Sequence, residues 1–100
     1  FPEHNGSVSA AWKNIFDWMS RIDQKLFQGK PLLVLAASPG GRAGAGVLGY
    51  LTTALPHFGA DLKASQGIGK WGDAWDADTQ TLKNEEDKAA IDAAVSALLA

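Results

Sequence analysis

The feature that most constrains the fold is an unbroken apolar run, PLLVLAA, from Pro31 to Ala37. Gly29 precedes this run and Ser38-Pro-Gly-Gly41 follows it, so turn-forming residues limit it on both sides. A strand with one face in water would alternate apolar and polar residues, and this run does not alternate. We therefore predict a strand that is buried on both faces, which is typical of a parallel sheet.

Helical and strand patterns alternate along the rest of the chain. The spacing of apolar residues predicts helices over 9–22, 43–56 and 84–99, and a second, weaker strand over 61–67. We expect Ser9 and Asn84 to be the N-caps of the first and last helices, because both side chains accept hydrogen bonds from a helix N-terminus. The stretch between the second strand and the last helix has no usable period.

Two helices have apolar residues that we expect to be buried. The expected buried stripe of the first helix is Ala11, Ile15, Trp18 and Ile22, with Trp12, Phe16 and Met19 beside it. The expected buried stripe of the last helix is Ile91, Val95, Leu98 and Leu99.

The order helix, strand, helix, strand, helix predicts an α/β fold with a parallel sheet and helices on both faces. Residues 1–100 read as one domain, because no linker or repeat divides them. A sheet of two parallel strands leaves unpaired backbone groups along the edges of an apolar strand. We therefore expect further strands from another chain or from a larger domain, and we favour the larger domain.

Composition excludes several classes of function. The net charge of −2 and the pI of about 5.5 do not favour nucleic acid or an anionic membrane as a partner. The chain has no cysteine, which excludes disulfides, zinc–thiolate sites and thiol nucleophiles. The apolar run from Pro31 to Ala37 is too short to span a bilayer. A cytoplasmic location is the expectation.

Two loops could bind a ligand, Pro2–Ser7 and Ser38–Gly44, because each precedes a predicted helix. Ligands of open α/β sheets bind at the carboxyl ends of strands, where glycines allow the backbone to approach them closely. Ser38–Gly44 leaves the carboxyl end of the buried strand. A tight strand-to-helix connection with no ligand is the alternative for this loop.

The remaining candidate residues are not spaced as a dinucleotide-binding, catalytic or metal site requires. Gly44-Ala-Gly-Val-Leu-Gly49 matches GxGxxG, but its glycines begin several residues after the strand, so we interpret Gly46 and Gly49 as packing positions. His57 is interpreted as a surface or capping residue. The aspartates at 73, 76 and 78 are interpreted as solvated turn residues. We assign no catalytic side chain and no metal site.

Two segments of the sequence resemble one known family. The first, PEHNGSVSAAWKNIFDWMSR, is similar to the Pro-Glu-Tyr-Asn-type loop and following helix of the NAD(P)H-dependent FMN reductases, with His4 in place of tyrosine and Trp12 in place of leucine. The second, GKPLLVLAASPGGRAGAGVLGYL, resembles a strand of that family with its Ser-Pro-Gly-Gly-type loop. WDADTQTL and the closing helix also resemble the family's C-terminal region. The resemblance implies a flavodoxin-like fold.

The resemblance also implies which parts of the fold the chain contains and what the protein does. Residues 1–100 would be the C-terminal half of a flavodoxin-like domain, lacking its first three strands and the loop that holds the FMN phosphate. The implied reaction transfers a hydride from NAD(P)H to FMN, and then electrons to a quinone, free flavin or similar acceptor. A homo-oligomer is implied as well.

By the same resemblance, Pro2–Gly6 would line the isoalloxazine ring and backbone groups of Ser38–Gly41 would meet its polar edge. The helix N-terminus near Ala43, together with Arg42, would favour the negative charge of the reduced flavin. The implied cofactor-binding residues are Pro2, Glu3, His4, Asn5, Gly6, Ser38, Pro39, Gly40, Gly41 and Arg42.

Two other interpretations stay open. The chain could be a non-catalytic fragment or assembly module whose strand edge pairs with a complementary chain. It could also belong to another flavodoxin-like class, such as a phosphoacceptor domain, although the sequence has no acidic pocket at the strand ends to favour that.

Overall fold

The computed structural model describes all 100 residues. The elements in chain order are α1 (Ala10–Ile22), β1 (Pro31–Ala37), α2 (Ala45–Ala54), a 3-10 turn (Leu55–Phe58), β2 (Asp61–Ile68), α3 (Trp71–Ala74), β3 (Trp75–Asp76), β4 (Thr81–Leu82) and α4 (Glu85–Leu99). The predicted helices and strands are confirmed, and the predicted boundaries are close to the observed ones. The chain folds as an α/β structure, as the sequence predicts. None of its helices combines the length and the hydropathy needed to cross a membrane.

Strand β1 lies between two segments of the chain. On one side it pairs in parallel with β2, from Pro31 opposite Asp61 to Ala37 opposite Ile68. On the other side only Phe1 and Pro2 lie beside it. The N-terminal amine of Phe1 donates to the carbonyl oxygen of Leu35 at 2.7 Å, and the N–H of Ala37 donates to the carbonyl oxygen of Phe1 at 3.2 Å. This second edge of β1 is therefore paired near its carboxyl end alone.

Helices cover both faces of the two-stranded sheet. Val34 and Ala36 point to one face and join the main hydrophobic cluster with Val47 and Leu51 of α2. Leu35 points to the opposite face, because successive side chains of a strand alternate. There it lines a cavity with Ile91 of α4. The run from Pro31 to Ala37 is thus buried on the face that packs on α2, whereas Leu35 on the other face is 38% exposed, so the prediction of a strand buried on both faces is only partly correct.

The predicted buried face of α1 is correct for Trp12 and Phe16 and wrong for the stripe beside them. Ile15, Trp18 and Ile22 are exposed, and the inward face is formed by Trp12, Phe16 and Ser20. Aromatic contacts explain the difference. Phe16 stacks on Trp12 with ring centroids 4.8 Å apart and meets the ring of Phe58 edge-on at 4.7 Å; Trp12 also meets the ring of Phe1 at 5.2 Å. In this orientation two aromatic rings of α1, Trp12 and Phe16, pack against aromatic rings of other segments, whereas the predicted stripe has one aromatic residue, Trp18.

The predicted buried stripe of α4 is only partly correct. Ala94 is the buried residue of this helix, and Ile91 and Leu98 are half-buried beside it, whereas Val95 and Leu99 are exposed. A small side chain at the centre of the contact lets the helix backbone approach the sheet closely. The predicted N-caps are confirmed: Ser9 Oγ accepts the N–H of Trp12 at 3.2 Å and Asn84 Oδ1 accepts the N–H of Asp87 at 2.8 Å.

The segment between β2 and α4, whose sequence shows neither helical nor strand periodicity, contains three short elements, α3, β3 and β4. Strands β3 and β4 form a small antiparallel hairpin of two residues each. The Asp76 carboxylate closes its turn by accepting the N–H groups of Asp78 and Thr79, and these hydrogen bonds lower the pKa of Asp76 below its ordinary value. The interpretation of these aspartates as turn residues is confirmed for Asp76 and Asp78 and is wrong for Asp73, which lies in α3. Elements of two to four residues are too short to produce a period in the sequence.

A matched pair of leucine substitutions tests this placement of the core. Leu51 has no exposed surface, whereas Leu99 is 79% exposed. We expect Leu51→Ala to lower the free energy of unfolding by about 3 kcal/mol, because it removes buried methyl groups and leaves a cavity. Leu99→Ala should change it by less than about 0.5 kcal/mol. Urea denaturation followed by circular dichroism measures both values, and equal losses would contradict the packing described above.

Candidate functional site

The loop Pro2–Ser7 forms a tight hairpin turn at the carboxyl end of β1. The N–H of His4 donates to the carbonyl oxygen of Ser7 at 2.9 Å, and the N–H of Ser7 donates to the carbonyl oxygen of His4 at 3.0 Å. Asn5 and Gly6 between them have φ angles of 51° and 79°. Two left-handed residues in this position form a type I′ turn, which Asn-Gly favours. The turn leaves the side chains of His4 and Asn5 exposed.

Glu3 attaches this turn to helix α2. Its Oε2 atom accepts the N–H of Val47, in the first turn of α2, at 2.9 Å. Gly44, the N-cap residue of α2, has no side chain that could accept such a bond. Glu3 therefore supplies from 44 residues away the capping carboxylate that the helix lacks locally. The helix end expected to attract the reduced flavin already has a negative charge beside it.

Gly46 makes this contact possible. A methyl group at Gly46 would lie 2.5 Å from the carbonyl oxygen of Gly6 and 2.8 Å from Glu3 Oε2. At Gly49, one turn further along α2, a methyl group would meet no atom within 4 Å. The interpretation of these glycines as packing positions is confirmed for Gly46, where the turn lies directly on the helix, and is wrong for Gly49.

The second loop, Ser38–Gly44, presents backbone donors. Ser38 itself is buried; its N–H donates to the carbonyl oxygen of Ile68 at 3.0 Å and its carbonyl oxygen accepts the N–H of Trp71 at 3.0 Å. The N–H groups of Gly40, Gly41 and Arg42 donate to no atom of the chain. These three residues are exposed, so consecutive donors are available to a ligand at the carboxyl end of the sheet.

Residues at the end of β2 and just after it, which the sequence pattern did not single out, shape this second loop. A side chain at Gly67 would collide with the carbonyl oxygen of Ala43, and one at Gly69 would lie 2.9 Å from the carbonyl oxygen of Gly40. The N–H of Lys70 donates to that same Gly40 oxygen at 2.9 Å. The signal that could have revealed these contacts is the Gly-Ile-Gly sequence, Gly67 to Gly69, at the end of the predicted strand.

The charged side chains of the two loops and of Lys70 differ in whether they have a partner within the chain. Glu3 is held by its hydrogen bond to α2. Arg42 and Lys70 are exposed and form no ion pair. The Lys70 side chain lies along the second loop, because its Cε is 3.6 Å from the position that a methyl group at Gly41 would take. Lys70 therefore lies beside the backbone donors of Gly40–Arg42, and it shares a pocket there with the acidic residues Asp73, Glu86 and Asp87.

An apolar cavity of about 420 Å³ opens at the same end of the sheet, on the face covered by α4. Nine of its ten lining residues are hydrophobic. They include Leu35 of β1, Ile91 of α4 and the pair Trp71 and Trp75, whose rings stack with centroids 5.2 Å apart. The cavity lies beside the partly unpaired edge of β1, where Phe1 also lines it.

Alanine substitutions of two glycines test the contact between the first turn and α2. Gly46→Ala should lower the free energy of unfolding by about 1–3 kcal/mol, because the added methyl group pushes the turn away from the helix. Gly49→Ala should raise it by about 0.5–1 kcal/mol, because alanine is the better helix former and the space there is open. Thermal unfolding measures both. Stabilisation by both variants would show that the turn does not lie on Gly46.

Two substitutions at Glu3 test its capping role. Glu3→Ala should cost about 1 kcal/mol of unfolding free energy, since the N–H of Val47 loses its acceptor. Glu3→Gln keeps an acceptor oxygen and should cost less than Glu3→Ala. Chemical denaturation at several salt concentrations separates the loss of charge from the loss of the hydrogen bond. Equal stability of all three proteins would exclude the cap.

Comparison with curated proteins finds relatives for part of the chain. An NAD(P)H-dependent FMN reductase of Pseudomonas aeruginosa is 46% identical over 39 residues, which are 39% of this chain and 21% of that protein. Proteins named quinone reductase from Escherichia coli K12 and from Shigella flexneri are each 43% identical over 44 residues, which are 44% of this chain and 23% of theirs. The matched stretches thus span less than a quarter of each relative.

The family comparison covers more of the chain. The sequence model of the NADPH-dependent FMN reductases matches residues 1–67, which contain α1, β1, α2 and most of β2 together with both loops of the candidate site. The parallel pairing of β1 with β2, flanked by helices, agrees with part of a flavodoxin-like fold. The chain belongs to the NADPH-dependent FMN reductase family.

Proposed function

We propose that the protein is an FMN-dependent oxidoreductase that takes a hydride from NAD(P)H and reduces a quinone or flavin acceptor. One observation carries the proposal: the free N–H groups of Gly40–Arg42 lie at the carboxyl end of β1, where Pro2 also pairs with the strand at Ala37. Membership of the reductase family and the names of the relatives support the same reaction class. The proposal includes a cytoplasmic location, which a chain without cysteine permits.

The residues present fit FMN. The polar edge of an isoalloxazine ring carries carbonyl oxygens and ring nitrogens that accept hydrogen bonds, and Gly40, Gly41 and Arg42 offer N–H donors with no competing acceptor. A methyl group at Gly40 would meet no atom within 4 Å, so the space above this residue is open. Pro2, His4 and Asn5 present exposed side chains on the neighbouring loop. Arg42 and Lys70 add positive charge.

FMN, when bound, supplies the redox chemistry, in which it accepts a hydride and passes electrons to the second substrate. The chain's own residues have binding and positioning roles. The donors of Gly40–Arg42 orient the ring edge and stabilise negative charge there. Glu3 fixes the first loop through Val47 rather than contacting the ring with its carboxylate. Ser38 supports the second loop through its bonds to Ile68 and Trp71. No side chain is needed as a general acid or base.

A second candidate function is that of an assembly module. The observation that favours it is the edge of β1, which pairs with Phe1 and Pro2 only near Ala37, next to the apolar cavity of about 420 Å³. An incoming strand could pair with the remaining part of this edge and insert apolar side chains into the cavity. The visible absorption spectrum of the purified full-length protein separates the candidates, because bound flavin absorbs in the visible region and a module without a cofactor does not.

Substitution of Gly40 by valine tests the proposed FMN site. Gly40 does not have a positive φ and has open space around it, so Gly40→Val should leave the fold intact. The branched side chain should block the approach of the ring to the backbone donors and weaken FMN binding by at least about tenfold, equivalent to about 1.4 kcal/mol. Quenching of FMN fluorescence on titration with the full-length protein measures the affinity.

Gly49→Val is the matched control for this experiment. Gly49 also has open space around it, but it lies on α2 away from both loops. We expect its FMN affinity to equal that of the unmodified protein. Unchanged affinity in Gly40→Val would place the ring elsewhere. Equal weakening by both variants would point to a general effect on the fold rather than to a binding site.

A further inference from the structure

The peptide group between Gly40 and Gly41 is attached to the rest of the chain at its carbonyl end alone. The carbonyl oxygen of Gly40 accepts two hydrogen bonds, from the N–H of Lys70 at 2.9 Å and from Ser38 Oγ at 3.3 Å. The N–H of Gly41, at the other end of the same peptide group, donates to no atom of the chain. The carbonyl is therefore held within the protein, whereas the N–H is free for a ligand.

The geometry of a peptide group gives this free N–H a direction. The chain has no cis peptide bond, and in a trans peptide group the C=O and N–H bonds point in opposite directions. Because the carbonyl of Gly40 points toward the N–H of Lys70, the N–H of Gly41 points away from the segment that follows β2. Gly41 is exposed, so a ligand can reach this N–H from the side opposite Lys70.

The backbone of Gly69 and Lys70 is shaped for this contact. Lys70 has a φ of 48°, in the left-handed region that few residues with a side chain adopt. Backbone strain of this kind persists where the surrounding structure holds it, and it occurs most often at ligand sites. At Gly69, a methyl group would lie 2.9 Å from the carbonyl oxygen of Gly40, which is closer than non-bonded atoms approach without repulsion. Glycine at this position therefore lets the carbonyl lie against the segment.

Two further hydrogen bonds keep the second loop and the segment after β2 together. The N–H of Ser38 donates to the carbonyl oxygen of Ile68, and the N–H of Trp71 donates to the carbonyl oxygen of Ser38, both at 3.0 Å. The free N–H is thus fixed before any ligand arrives. A fixed donor loses little conformational freedom on binding, and it stabilises negative charge on a ligand without rearranging.

We propose that Gly69 and Lys70 are positioning residues for the flavin site: together with Ser38 Oγ, they hold the carbonyl of Gly40 so that the N–H of Gly41 points to the polar edge of the ring. The inference rests on the proposed function for the identity of the ligand, FMN. It assigns part of the binding strength of the second loop to residues after β2 that do not themselves contact the ring. Because the reduced ring carries more negative charge than the oxidised ring, the N–H of Gly41 favours the reduced form.

Gly69→Ala in the full-length protein tests this role. The added methyl group should displace the carbonyl of Gly40 and turn the N–H of Gly41 away from the ring. Binding of oxidised FMN should weaken at least about tenfold, measured by fluorescence quenching. Binding of reduced FMN should weaken by a further factor of about ten, which lowers the midpoint potential of the bound flavin by about 30 mV.

Gly49→Ala is the matched control, because it adds the same methyl group in open space on α2, away from both loops. Its FMN affinity and midpoint potential should equal those of the unmodified protein. Equal weakening by Gly49→Ala would show a general effect on the fold and overturn the positioning role.

Amide hydrogen exchange, followed by NMR, tests the step through the carbonyl of Gly40 without measuring activity. In the unmodified protein the N–H of Lys70 should exchange slowly, and the N–H of Gly41 should exchange fast until FMN is added. In Gly69→Ala the N–H of Lys70 should exchange fast, and FMN at saturating concentration should leave the N–H of Gly41 unprotected. Slow exchange of the Lys70 N–H in Gly69→Ala would overturn the proposal.

The outcomes separate this inference from the proposed function. Failure of the unmodified protein to bind FMN overturns the proposed function and this inference with it. FMN binding that Gly69→Ala leaves unchanged overturns the inference alone. If circular dichroism shows that Gly69→Ala is unfolded, Ser38→Ala decides, because it removes the donor at 3.3 Å and keeps the backbone hydrogen bonds. Ser38→Ala should weaken FMN binding about threefold, and unchanged affinity would overturn the inference.

Discussion

The arrangement of the whole molecule depends on the pairing of β1 with its neighbours. Its parallel pairing with β2 aligns the carboxyl ends of the two strands, and its contact with Phe1 aligns the start of the first loop with that same end. The loops Pro2–Ser7 and Ser38–Gly44 consequently meet Gly67 and Gly69 at the carboxyl end of the sheet. The same strand separates the two hydrophobic regions, because Val34 and Ala36 face α2 while Leu35 faces α4.

The close approach of the first loop to α2 changes the electrostatics of the site. A helix N-terminus next to a glycine-rich loop would ordinarily offer its partial positive charge to a ligand. Here Glu3 occupies that end through the N–H of Val47, and Gly46 provides the space for it. The second loop keeps the free N–H groups of Gly40–Arg42, and Gly41 shares a pocket with Lys70 and with the acidic residues Asp73, Glu86 and Asp87. The carboxylate that caps α2 and the free backbone donors therefore belong to different loops.

The fold leaves apolar surface uncovered in three places. One is the cavity beside the partly paired edge of β1, the second is the outward face of α1 with Ile15, Trp18, Met19 and Ile22, and the third is Val95 and Leu99 of α4. Large exposed apolar patches of this kind are typical of interaction surfaces.

The sequence by itself determined the elements that depend on local pattern. The run from Pro31 to Ala37 predicted the parallel strand, Ser9 and Asn84 predicted two helix starts, and the two loop motifs indicated the family. These features need only neighbouring residues, because capping and turn formation act over a few positions and an unbroken apolar run is itself a local pattern. The ten implied cofactor-binding residues stay a prediction, although their two loops do lie at the same end of the sheet.

Only the tertiary structure decided which face of each helix is buried. Apolar residues occupy more of the surface of α1 than a single contact requires, so periodicity could not distinguish the Ile15 side from the Phe16 side. The Phe16 side is the buried one because the rings of Phe1 and Phe58 pack on it. In α4 the small Ala94, rather than the larger apolar residues, sets the contact. The bond from Glu3 to Val47 joins residues 44 positions apart, so no local pattern could reveal it. Local interactions fix where helices and strands form, whereas distant side chains fix how they turn toward one another.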